Sequence, residues 1–138
     1  MTADASSLHF VLLWTLGVLL ISGVASAVAG RWSERSSVAV GMAGAGLACL
    51  VGLAAAIAGL TARVSGTVML PWNMPYGAFS LGLDPLSAFF LIPLFLLSGL
   101  AAVFALGYFR PWNGRNPGRF WLFYNLLVAS MALVVLAR

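Results

Sequence analysis

Four long apolar stretches separated by three polar interruptions set the pattern of the chain. Residues 8–30, 38–62, 85–109 and 120–137 contain no Asp, Glu, Lys or Arg. A helix rises about 1.5 Å per residue, so the first of these would measure roughly 35 Å, enough to cross a hydrocarbon core of about 30 Å. The fourth is the shortest and sits near the lower limit for crossing. The pattern predicts an all-α membrane protein with four transmembrane helices. Between the second and third it predicts a short surface β-hairpin over residues 66–83.

The polar interruptions differ in kind. Residues 31–37 are too few for anything but a tight connection between adjacent antiparallel helices. Residues 110–119 hold Asn113-Gly114, a turn signal, within a basic loop. The middle interruption is longer. Gly66-Thr67-Val68-Met69-Leu70 and Ala78-Phe79-Ser80-Leu81-Gly82-Leu83 suit strands, and the second alternates, with Phe79, Leu81 and Leu83 on one face. Pro71-Trp72-Asn73-Met74-Pro75-Tyr76-Gly77 supplies the breakers between them. Two strands alone are marginal, so the hairpin needs a partner surface: its own helices or a neighbouring subunit. Trp72 and Tyr76 are expected at headgroup level.

The hairpin leads into Leu83-Asp84-Pro85. An Asp before a proline predicts an N-cap at Asp84, with Pro85 at the first helical position. Pro93, inside the third span, removes the hydrogen bond to the Phe89 carbonyl and is expected to kink the helix. Small residues recur at every fourth position on two spans: Ser22, Ser26 and Gly30 on the first, and Gly44, Ala48, Gly52 and Ala56 on the second. Such stripes let helices approach closely in lipid.

Composition sharpens this reading. Hydrophobic residues make up 62% of the 138 and charged residues 7%, against about 45–50% and about 25% in soluble domains. Polar groups cannot cover so much apolar surface, so lipid or partner subunits must. The net charge is +4, but the arginines flank the apolar runs and do not gather on one face, which argues against nucleic acid. They report topology instead. With the N-terminus outside, the inner loops hold Arg31, Arg35, Arg110, Arg115 and Arg119, and the outer side holds Arg63 and Arg138, as the positive-inside rule prefers. This puts the N-terminus and hairpin on the outer face, the periplasm if the source is bacterial, and the chain is expected in the cell inner membrane as a multi-pass protein. The leader lacks the basic residues of a signal peptide, and its apolar run is too long. His9, at the mouth of the first span, is expected to be interfacial and open to water. The lone Cys49 is expected to pack within its helix.

The chemistry that is missing also matters. Intramembrane carboxylates and lysines mark proton and ion paths, and no span carries one. There is no phosphate-binding glycine loop, CxxC pair or HExxH helix. Asp84 and Ser87 have no base nearby in sequence, so capping accounts for them. The sequence therefore predicts no catalytic, cofactor-binding or metal residues and no cofactor in this chain.

The segment from Phe79 to Phe90, with Gly107-Tyr108-Phe109 at the far end of the same helix, resembles the start of the third helix in a known family. That family comprises the antiporter-like membrane subunits of respiratory complex I, Mrp antiporters and energy-converting hydrogenases. The Trp72–Gly77 turn most resembles hydrogenase-4 component B and the formate hydrogenlyase membrane subunit. The resemblance implies partners among the other membrane subunits of a complex I-like or hydrogenase complex. It also implies a proton path built from a Glu and Lys residues on later spans, beyond the end of this sequence. The chain is thus expected to be the N-terminal portion of a longer proton-translocating subunit, supplying packing and subunit contacts and not the path itself. Two other readings are a free-standing assembly or scaffold protein and a small dimeric transporter. The last would need the intramembrane carboxylate that is missing.

Overall fold

The computed structural model describes residues 5–62, 66–74, 77–108 and 116–137. Four helices are present: α1 (Ala5–Ala29), α2 (Glu34–Thr61), α3 (Pro85–Tyr108) and α4 (Pro117–Leu136). Strands β1 (Gly66–Met74) and β2 (Gly77–Leu83) form an antiparallel pair between α2 and α3. All four helices are long and apolar enough to span a membrane. This is an all-α membrane protein with a β-hairpin at one end of its bundle.

Three helices begin earlier than the apolar pattern predicts, the first of them at Ala5 and not Leu8. The second starts at Glu34, not Val38, because Ser33 is already extended at φ −156° and ψ 130° and its carbonyl accepts from Ser37 N at 3.1 Å. Glu34 then lies in the first turn, where a negative charge suits the helix dipole. The fourth starts at Pro117, not Phe120, because the Asn116 side chain accepts from Gly118 N at 3.0 Å and Pro117 fills the first turn. Polar first turns hide helix starts from a purely apolar criterion.

The hairpin keeps its expected bounds, 66–83, but its first strand is longer than expected. The breakers do not end β1 at Leu70, and the strand continues through Pro71 to Met74 with a register irregularity between Leu70 and Met74. A proline is tolerated at such a bulge on an edge strand. The side chains of Trp72 and Tyr76 lie outside the described residues, as do Arg63, Arg138 and the Asn113-Gly114 turn. The third helix runs through Pro93 without ending.

In cross-section α2 lies between α1 and α3, while α4 closes against α1 and more lightly against α2 and α3. The core is built from Leu12, Leu16 and Leu19 of α1, Ala48, Ala55 and Ala56 of α2, Leu91 and Phe95 of α3, and Val128 and Ala132 of α4. Large apolar side chains such as Phe10, Ile21, Leu50, Leu97, Phe104 and Val134 point outward. In water such a belt would drive aggregation, whereas in a bilayer it is the solvent-facing surface.

The two small-residue stripes meet. A Cβ on Gly44 would lie 2.1 Å from Ser22 Cβ, one on Gly41 would lie 2.8 Å from Ser26 Oγ, and one on Gly30 would lie 3.3 Å from Ser37 Oγ. These three pairs run antiparallel along α1 and α2. Further along α2 the stripe changes neighbour, since a Cβ on Gly52 would meet the Phe95 ring of α3 at 2.6 Å. One helix face therefore receives two partners.

Candidate functional site

Two polar groupings stand out from this apolar bundle, one at each end. The first is at the hairpin end. Asp84 is the N-cap of α3: its Oδ1 accepts from Ser87 N at 2.7 Å, and its carbonyl accepts from Ala88 N at 2.9 Å. Ser87 contributes its backbone N–H here, so the pair is a capping arrangement. Directly before it, the buried N–H of Leu83 donates to His9 Nε2 at 3.1 Å, across 74 residues of sequence. In this bond the ring nitrogen Nε2 is the acceptor.

The expectation for His9 is corrected. It is only 6% exposed and helps to seat the hairpin, instead of lying open to water at the mouth of the span. On the same strand, Leu81 forms an antiparallel bridge with Ala137, and the end of α4 is extended there at φ −68° and ψ 138°. Leu81 and Leu83 are buried against the bundle, and Leu83 rests on Gly59 of α2, where a Cβ would come within 3.1 Å. The hairpin thus uses its own helices as its partner surface.

The second grouping lies at the opposite, loop end. Ser26 Oγ donates to the Ser37 carbonyl at 2.8 Å, and Ser37 Oγ donates to the Ser26 carbonyl at 2.8 Å. This reciprocal pair staples α1 to α2 beside their connection. A little deeper, Asn125 of α4 is fully buried, and its Nδ2 donates to Ser22 Oγ at 3.3 Å and the Gly41 carbonyl at 3.5 Å. Trp121, one turn before it, is also fully buried. Gly118 completes the approach of α4, since a Cβ there would lie 2.6 Å from the Ser26 carbonyl. Between α3 and α4 the Tyr124 hydroxyl donates to the Ser98 carbonyl.

Chemically, these groups bind helices to one another. Among the described residues no group of three or more His, Cys, Asp or Glu is placed to hold a metal ion. Cys49 is buried within the core, as expected. Sequence reasoning passed over Asn125, the one strongly polar side chain inside the fourth span, and its signal was available: an amide in an otherwise apolar run must find partners in lipid.

No family model matches the chain. Over 116 residues it is 37% identical to NADH-quinone oxidoreductase subunit L of Escherichia coli (strain K12), a stretch that covers 78% of this chain and 18% of that protein. The chain thus spans less than a fifth of the length of this curated relative.

Proposed function

The chain belongs to the antiporter-like membrane subunit family of complex I, and from that premise we propose that it is the N-terminal bracing portion of a proton-translocating subunit. In this reading it supplies packing and subunit contacts. The proton path lies on other helices, and redox chemistry lies in partner subunits. The complex is of the NADH-quinone oxidoreductase or hydrogenase type, and the turn at residues 72–77 is what keeps the hydrogenase side in play. The membrane is the cell inner membrane, with the N-terminus and hairpin on the periplasmic face, as the arginine distribution favours.

One observation carries the proposal: the chain is similar to subunit L over 78% of its length, and its four spans hold no Asp, Glu or Lys mid-membrane. A coupling site needs such a group. Several of the buried polar groups join helices, as in the Ser26–Ser37 pair. The test has two arms. Isolated from native membranes in mild detergent, the tagged chain is expected to bring other membrane subunits with it. Reconstituted alone in liposomes, it is expected to leave an imposed pH gradient intact. Proton or sodium transport by the isolated chain would overturn the bracing role, and migration as a lone species would favour the free-standing scaffold.

A further inference from the structure

We propose that the joint of α4 with its neighbouring helices holds a single bound water molecule, taken up between the Trp121 indole, which packs against α2 and α3, and the Asn125 amide, which faces α1 and α2. Both side chains are fully buried, and they lie four residues apart on α4, so they sit on one face of the helix. Trp121 Nε1 and Asn125 Oδ1 are both without a hydrogen-bond partner among the described residues. One is a donor and the other an acceptor. Leaving each unmet in an apolar interior is unfavourable, and no bulk water is at hand within a bilayer.

Turning the amide over does not remove the problem. Asn125 Nδ2 faces the Gly41 carbonyl and Ser22 Oγ, whose own hydrogen goes to the Leu19 carbonyl at 3.1 Å. With the amide reversed, Oδ1 would face two acceptors. The orientation is therefore fixed by its neighbours, and Oδ1 stays in need of a donor. The two amide bonds, at 3.3 and 3.5 Å, exceed the usual N–H···O distance of about 2.9–3.0 Å.

The chemistry of the two groups selects the ligand. A cation would match Oδ1 but could accept nothing from the indole N–H. An anion would take the indole hydrogen but be repelled by Oδ1. Water does both from one oxygen, accepting from Nε1 and donating to Oδ1, and a bridging water of this kind is nearly as favourable as a direct bond. The joint is then a hydrated seam between α4 and its neighbouring helices. This inference does not depend on which complex the chain joins.

The test is magnetisation transfer from water to the indole N–H of Trp121, with the chain labelled at tryptophan nitrogen in lipid nanodiscs. The expected result is a water cross-peak at Trp121 that disappears in Asn125→Leu, while the remaining indole signals keep their positions. Should Asn125→Leu fail to fold, Asn125→Ser, which withdraws Oδ1 but keeps a polar side chain, is expected to lose the same cross-peak. No cross-peak in the unaltered protein, or a direct coupling between the indole N–H and the Asn125 amide, would overturn the proposal.

Discussion

The two ends of the bundle are held together by different means. At the loop end, glycines bring backbones close enough for serines to reach across: Gly41 and Gly44 open the way to Ser26 and Ser22, and Ser26 and Ser37 exchange hydrogen bonds at 2.8 Å. At the hairpin end the glycine approach among the described residues is looser, with a Cβ on Gly59 lying 3.1 Å from the Leu83 side chain. Instead a strand from the long connection is tied to the helices by one imidazole, one backbone bridge and the burial of Leu81 and Leu83. The first end is fixed by shape, and the second by a few long-range polar ties. In lipid this difference has energetic weight, because helix association rests on close packing and interhelical hydrogen bonds without a hydrophobic drive. The sealed end should resist opening as a unit. The tied end should release at single points.

Substitutions at four positions test that contrast. The largest effect is expected from Gly44→Val, because even a Cβ would lie 2.1 Å from Ser22 Cβ and α1 would have to move bodily. Overpacking of this kind costs roughly 3 kcal/mol or more where backbone cannot yield, and denaturant titration in detergent should show it. A loss below about 0.5 kcal/mol, within the range of a neutral surface change, would remove shape as the basis of the sealed end. Next, His9→Leu strands the buried Leu83 N–H and should cost roughly 2 kcal/mol. Hydrogen exchange is expected to rise at residues 80–83 while α1 and α2 stay protected; global unfolding in step would show that the hairpin is not separately tied.

Asp84→Ala should cost about 1 kcal/mol, the usual loss for an N-cap, confined to the first turn of α3. Asp84→Asn, which keeps a capping oxygen, should recover most of it. A uniform rise in exchange along the whole of α3 would count against a local cap. The smallest change is expected from Ser26→Ala. An interhelical bond in a membrane is worth about 0.6 kcal/mol on average, and the close approach made by Gly41 and Gly44 remains. If Ser26→Ala proved more damaging than Gly44→Val, the ordering of shape over hydrogen bonding at this end would be reversed.

How much of this was legible in the chain depends on the distance between partners. The four spans could be read directly, and so could the Asp84 cap, whose partner Ser87 is three residues away. The stripes at Ser22–Ser26–Gly30 and Gly44–Ala48–Gly52–Ala56 were visible as surfaces for close contact. What they contact was not, and one of them proved to serve both α1 and α3. His9 was misplaced because the group it serves is 74 residues away. Helix starts at Glu34 and Pro117 were set late because their polar first turns resemble loop. Asn125 carried a signal that apolar averaging over its span concealed.

Sequence by itself determined that this chain lives in a bilayer, how many times its helices can cross it, and that no span brings a carboxylate or amine to mid-membrane. Those properties are local: in lipid every backbone group must be satisfied within its own helix, so a run of apolar residues long enough to span is sufficient. Only the tertiary structure decided which faces meet, that an imidazole from the first helix receives the last N–H of the hairpin, and that an amide and an indole are shut inside together. Each of those depends on residues brought together from distant parts of the chain, and neither periodicity nor composition encodes the register between helices.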